Sequence, residues 1–440
     1  MPRLFKKKSK IDGWYEKKKY PHFDLPLSYE HAKEFVSGSP ERISSHSFHP
    51  FLAYEKVSRR YRGRNNKSIK KRPIKYASHK DGYIYSYYAK QISERYETIV
   101  PALGIDQNVI AYRSGKGNNV DFAKAAFDEI DRRGTCVAIA LDISGFFDNI
   151  DHQNLKKEWC NTINQPKLPE DHFAVFKSLT RWSEVNRDDC YARLKEHLPD
   201  FDSKKPPRPI CDDNDFRKII KGRGMAFESL IKKNVDDTGA WKGYGIPQGT
   251  AMSALLSNIF MIPFDQEMKN LSDKIEGYYR RYSDDILWIC DAKYKDMVLG
   301  EVDQCLRERG KKLVRKDDKT DISLFMLDSK GSLISDKPFQ YLGFTYDGRK
   351  RLLRSQTLAR YWRRLIYATR SAKRETRKAI MEGKHGKPFR KKLNMSLTHL
   401  GKGNFVTNYA YPAQDKMGGN AIRRQLSGHL ERINDEIDHL

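Results

Sequence analysis

GYYRRYSDDILWICD, Gly277 to Asp291, is the stretch that decides how this chain is read. Two adjacent acids, Asp284 and Asp285, separate YYRRY from ILWI. Both flanks are rich in aromatic and β-branched residues, so each reads as a strand. The short polar link between them reads as a turn. Such a hairpin would hold two carboxylates at its tip, at a sheet edge that substrate can reach. A solvent-exposed turn with two incidental acids has the same local pattern. A second acidic strand elsewhere would separate the two readings.

That strand lies upstream, in TCVAIALDISGFFDNIDH, Thr135 to His152. Cys136 to Leu141 is apolar, and Asp142 then breaks the run. An apolar run of this length suits a strand buried on both faces, with Asp142 near its C-terminal end. Beside Asp284 and Asp285, Asp142 would complete a carboxylate cluster. Carboxylates this close repel, and a hard divalent cation relieves the repulsion. Two such ions about 4 Å apart can activate one oxygen and stabilise another in phosphoryl transfer.

Here a resemblance becomes specific. LDISGFFDNIDH, Leu141 to His152, resembles motif A of the prokaryotic reverse transcriptases. YSDD, Tyr282 to Asp285, matches their Y-x-D-D signature, and GIPQGTAMSALLSNIF, Gly245 to Phe260, is similar to their motif B. A lone YxDD is a weak signal; three motifs in this order are a strong one. The resemblance implies an α+β right-hand polymerase fold with an antiparallel palm sheet and a mostly helical thumb. Its parts would be an N-terminal extension at 1–54, fingers at 55–135, a palm at 136–350 with an insertion at about 160–240, and a thumb with C-terminal region at 351–440.

It also implies RNA-directed DNA polymerase activity: a primer 3′-hydroxyl attacks the α-phosphate of a dNTP and pyrophosphate leaves. Asp142, Asp284 and Asp285 would hold two Mg²⁺ ions, with Mn²⁺ as a possible substitute. Lys319, in a K-T pair like the end of motif D, would neutralise or protonate the pyrophosphate. Phe147, five residues after Asp142, would lie under the incoming sugar and exclude a 2′-hydroxyl. Gln248 would sit near the templating base, and Arg72 and Arg113 would contact the triphosphate. YLGF, Tyr341 to Phe344, resembles the primer grip. Ala254 departs from the proline usual after the motif B serine and removes no catalytic group.

Within the family the chain is most like the defence-associated (antiphage) and retron-like group. Retron and group II intron enzymes are the alternatives within it. The expected template is a dedicated non-coding RNA, and the expected ligands are dNTPs and an RNA–DNA duplex. A partner protein or homo-oligomer stays open, as do primer, product and the role of the insertion. A non-enzymatic RNA-binding scaffold is the reading from another class. It would tolerate loss of one metal acid, and all three are present.

Composition agrees with a polyanionic partner. The 440 residues include 83 Lys and Arg against 57 Asp and Glu, a formal charge of +26, and such a field suits nucleic acid. The six cysteines form no CxxC pair, which argues against a thiolate zinc site and for reduced core residues of a cytoplasmic protein. No apolar run reaches the roughly 18 residues of a membrane span. The basic MPRLFKKKSK has no apolar segment after it and is not a secretory signal.

Outward from the motifs, LSYEHAKEFV predicts a short helix, and His46 and His49 lack a carboxylate spaced for a metal site. Lys56 to Lys80 is strongly basic, with Tyr61, Ile69, Ile74 and Tyr76 interleaved, and reads as strands with a phosphate-binding face. Tyr83 to Tyr96 fits a helix with a core aromatic stripe, and Asn119 to Arg133 an amphipathic helix. Asp148 and Asp151 read as surface or helix-start acids. Pro338 to Leu353 reads as a hairpin closed near Asp347 and Gly348. Beyond it, Arg360, Arg363, Tyr367, Arg370, Arg374 and Arg377 recur at three- and four-residue steps. They would form one helical stripe that tracks duplex phosphates. HGKPFRKKLN adds a basic loop, and Thr407 to Leu440 shows no nuclease signature.

Overall fold

The computed structural model describes residues 11–61, 67–384 and 389–438. The basic first decapeptide, residues 62–66 of the basic segment and the first four residues of HGKPFRKKLN lie outside the described residues.

The basic segment forms a long antiparallel hairpin of β1 (Phe51–Tyr61) and β2 (Lys67–Tyr76). The apolar run forms β3 (Cys136–Asp142). The opaque middle of the chain supplies β4 (Ser183–Asn186) and β5 (Ile231–Lys233), and these join the hairpin in the order β2-β1-β4-β5. Residues 160–240 thus extend the sheet of the basic hairpin, and β4 runs parallel to β1.

The decisive stretch folds as β6 (Tyr278–Tyr282) and β7 (Asp285–Cys290), and β8 (Asp321–Leu327) and β9 (Leu333–Ser335) follow. With β3 they make a five-stranded antiparallel sheet in the order β6-β7-β3-β8-β9. β3 is central because its residues can be buried on both faces. Val137, Ile139 and Leu141 enter the larger core, while Cys136 and Ala138 enter a second one. The period of two along a strand produces that division.

The larger core includes Tyr83, Tyr88, Ile92 and Tyr96 of helix His79–Ala102, together with helix Ala251–Phe260. The second core is roofed by helix Asn119–Arg133, whose start is fixed by a reciprocal Asn118–Asp121 capping box. Against it pack β10 (Phe339–Tyr341), β11 (Phe344–Tyr346) and β12 (Arg351–Leu353). The expected turn near Asp347 and Gly348 joins β11 to β12, and a further turn at Leu342 and Gly343 adds β10. Helix Ser355–Met381 and the C-terminal helices complete this half. All six cysteines are buried and free. Among the described residues no helix is long and apolar enough to cross a membrane. The result is a mixed α+β fold, with an antiparallel sheet and helical regions consistent with a polymerase-like architecture.

Candidate active site

Strand register brings the distant acids together. Asp142 and Asp285 are direct cross-strand partners at the ends of β3 and β7. Asp284 lies one residue away in the β6–β7 turn, which Ser283 closes with a φ of +62°. The turn is tied to the end of β3 by Ile143 N–H donating to the Asp284 carbonyl at 3.2 Å. The loop after residue 310 closes over the other side: Lys316 N–H donates to the Asp142 carbonyl at 2.9 Å, and Ser144 N–H to that of Val314 at 2.8 Å. This loop delivers Lys319, whose Nζ is 2.6 Å from Asp142 Oδ2, while Lys316 Nζ is 3.5 Å from Oδ1.

The electrostatics are those of crowded carboxylates. Burial, then the charges of Asp284 and Asp142, push the Asp285 carboxyl up to about 7. Asp284 is also raised, by burial and then by Asp142. Burial opposes the Lys319 charge, but its hydrogen bond to Asp142 and the charges of Asp142 and Asp284 together outweigh this and hold the ammonium above its usual range. Among the described residues, no group of three or more His, Cys, Asp or Glu side chains stands ready to hold a metal ion. The Asp142 carboxylate is paired with Lys319 and Lys316. In donor chemistry the three acids nevertheless fit a hard divalent cation. All offer oxygen, and mutual repulsion among them is what such an ion would relieve.

A buried ion pair underlies the turn, and sequence reading missed it. Arg281 and Asp265 have side chains 0% exposed and meet in a two-pronged contact at 2.7 and 2.6 Å. Tyr279 donates to the same carboxylate at 2.6 Å. The second arm of Arg281, Nη1, donates to the Ser283 carbonyl at 3.0 Å and approaches Asn258 Oδ1 at 3.3 Å. Arg281 therefore grips the backbone of the turn that carries Asp284 and Asp285. The signal was present in YYRRY: alternation puts Arg281 on the inward face with Tyr279, and a buried arginine requires a carboxylate.

The start of helix Ala251–Phe260 borders the hairpin sheet. Gly249, at φ +117°, lies where a Cβ would be 2.4 Å from the Lys75 carbonyl, and Gly245, at φ +89°, would meet the Asp148 carbonyl at 2.8 Å. Only glycine permits both the backbone and the approach. Thr250 caps the helix, and Ser253 Oγ donates to the Pro247 carbonyl at 2.5 Å. Gln248, between them, is half-buried and accepts Lys75 N–H at 3.4 Å. In the tight turn after Asp142, Phe146 is core, while Phe147 is half-buried at the core margin. Asp148 is exposed and Asp151 caps helix His152–Thr162, as expected.

Arg113 requires correction. Its side chain is 2% exposed, paired with Glu97 at 2.6 Å and Asp106 at 2.7 Å, and donates to the Asp106 and Val109 carbonyls. It buckles helix His79–Ala102 to the following loop and has no arm left for a triphosphate. Arg72 is exposed on β2; alternation gives it the face of Ile74 and Tyr76, opposite to that of Lys75. The expected stripe on helix Ser355–Met381 is geometrically present. Arg360, Arg363, Tyr367, Arg370, Arg374 and Arg377 are all exposed, opposite the buried Tyr361, Leu365 and Thr369. Arg370 is engaged by Glu436 at 3.2 Å.

Strand-end carboxylates on an antiparallel sheet, with a lysine on one of them, are consistent with a polymerase-like architecture. A family model described as reverse transcriptase (RNA-dependent DNA polymerase) matches residues 211–346, a span that includes Gln248, the β6–β7 turn and Lys319. The chain carries a reverse-transcriptase domain. No curated protein matches it by sequence. Among solved structures it is similar to apo telomerase from Candida tropicalis truncated from the C-terminal domain. That match has 10% identity and a TM-score of 0.42, over 74% of this chain and 61% of that one. Telomerase from Candida albicans in complex with the TWJ fragment of telomeric RNA matches at 13% identity and TM-score 0.39, over 74% of this chain and 49% of that one. The chain thus spans about three fifths of the length of the first of these.

Proposed function

We propose that the chain copies a non-coding RNA into cDNA from dNTPs, in bacterial antiphage defence and in the cytoplasm. The observation that supports this best is the direct pairing of Asp142, which lies upstream of the matched span, with Asp285, which lies with Asp284 inside the reverse-transcriptase match. Asp142, Asp284 and Asp285 would hold two Mg²⁺ ions, which supply charge stabilisation and a more acidic primer hydroxyl when bound. The remaining work falls to side chains of the chain. Lys319 neutralises Asp142 before substrate arrives and is positioned to give its proton to the departing pyrophosphate. Phe147 presents a ring at the sugar and so selects deoxyribose. Gln248 holds its place near the templating base through a backbone tied to Lys75. Arg360, Arg374 and Arg377 follow the phosphates of the RNA–DNA duplex. The antiphage setting rests on the resemblance of Arg72 to Glu97 to the fingers region of retron-like and defence-associated reverse transcriptases.

The test is extension of a DNA primer on an RNA template with Mg²⁺. Asp284→Asn with Asp285→Asn should abolish extension and leave RNA binding mostly intact. Full extension by that variant would refute the assignment.

A further inference from the structure

The insertion at 160–240 builds a cavity as well as a sheet edge. Alternation divides the two faces of the β1–β2 hairpin. On one face Phe51 packs against Tyr85 at a centroid distance of 6.2 Å, and Lys75 lies over the Trp182 ring at 3.9 Å. On the other, Leu52 joins Val185, Cys190 and Leu194 of the insertion in a separate small core. Further along that second face come Tyr54, Ile74 and Tyr76. There the hairpin, the insertion and the N-terminal extension enclose a cavity of about 790 Å³.

Its floor is aromatic. Tyr54, Tyr76 and Tyr191 are half-buried, and Tyr20 meets the edge of Tyr76 at 5.2 Å. Its rim is cationic: Lys204, Lys205 and Arg208 are exposed. Arg187 lies over the Tyr54 ring at 4.6 Å. The acid of the lining, Asp188, is held by Arg187 at 2.8 Å, so its charge is already matched. The volume lies in the range that encloses a small ligand. Rings that offer π-faces beside unmatched cations are the two elements of sequence-tolerant single-strand binding.

We propose that this cleft binds single-stranded nucleic acid. Bases stack on the tyrosine floor, and phosphates meet Lys204, Lys205 and Arg208. It lies on the face of the hairpin sheet opposite Phe51, whose own face packs into the core that Leu141 and Ile143 enter, so it is a strand-holding site separate from the acids. The surplus of positive charge favours this occupant over an apolar or cationic one. Unpaired RNA as the source rests on the proposed reaction; the single-strand chemistry does not.

The experiment uses the full chain and labelled decauridylate, with binding followed by fluorescence anisotropy over a salt series. Lys204→Gln/Lys205→Gln/Arg208→Gln changes exposed side chains and should weaken binding about tenfold near 0.1 M salt. It should also flatten the log–log salt slope by about two, from three single-strand phosphate contacts. Tyr191→Leu should weaken binding about fivefold with the slope unchanged, and Tyr191→Phe should restore it. Both affected variants should still add one nucleotide to a short pre-annealed primer at the parental rate. Parental affinity in both would overturn the site. Uridine monophosphate competing as well as the decamer would overturn a strand in favour of a free nucleotide. Decathymidylate binding as tightly as decauridylate would overturn RNA as the source. Because the assay reads affinity without turnover, it stands even if the chain extends no primer.

Discussion

Arg281→Met would remove one half of a fully buried ion pair and leave the Asp265 carboxylate without its guanidinium partner. Breaking such a pair costs on the order of 3–5 kcal/mol. The Tyr279 hydroxyl still reaches Asp265 and offsets a minor part of that. Adding Asp265→Leu removes the orphan charge, and an apolar pair in place of a buried ionic one is often near neutral. The double variant should therefore recover most of the lost stability. It should not recover the turn, because the 3.0 Å bond to the Ser283 carbonyl comes from Arg281 itself. A charge-assisted bond of this kind contributes about 1.5–3 kcal/mol. A displacement near 1 Å at reacting groups can cost roughly a hundredfold in rate. Thermal denaturation would report the first effect, and single-nucleotide extension at saturating dNTP and Mg²⁺ the second. A double variant with parental Tm and parental extension rate would refute the grip on the turn and reduce the pair to packing.

The pH dependence of the metal-free protein has a definite sign. Asp285, raised from 3.8 to about 7, binds its proton more tightly folded than unfolded, so stability falls as pH rises from about 4 to 7. The part due to Asp285 is up to roughly 4 kcal/mol, and Asp285→Asn should remove it and leave only what the also-raised Asp284 contributes; denaturant titrations at pH 5 and pH 8 compare the two. Phe147→Val should lower the dNTP-to-NTP ratio of kcat/KM by at least about tenfold, and an unchanged ratio would return Phe147 to the core. Replacing Arg360, Arg374 and Arg377 by Gln, with the Glu436-paired Arg370 left in place, should flatten the salt slope of duplex binding by up to about three. Products made in a single binding encounter should shorten as well, and parental product lengths would mark the stripe as a solvated face.

What could be read in advance follows from physics of short range. The Cys136–Leu141 run and the YYRRY and ILWI flanks specify strands through side-chain pattern alone, and Asp142 opposite Asp285 follows once those strands pair. Helix Asn119–Arg133 was legible to the residue because its cap, apolar face and terminal glycine agree. Arg113 misled because a chain position near Gly115 and Gly117 carries no information on burial; Glu97 and Asp106 decide its direction from other turns of the chain. The attachment of β4 and β5 to the basic hairpin was invisible for a similar reason. Three- and four-residue strands have too little pattern to register, and their pairing depends on tertiary packing.

The central position of β3 sets a schedule for synthesis. Its two neighbours, β7 and β8, lie far downstream: Val137 pairs with Cys290 on one side and Leu324 on the other. Until β8 has left the ribosome, an apolar strand waits with an open edge. The interval from Asp142 to Leu327 is 327 − 142 = 185 residues, or roughly 10–40 s at ordinary translation speeds. During that time the nascent chain carries an unpaired template for wrong strands. The order of these strands along the chain therefore makes the centre of the sheet the part most dependent on protection before completion, and a chain stopped anywhere before residue 321 would carry that exposed edge permanently.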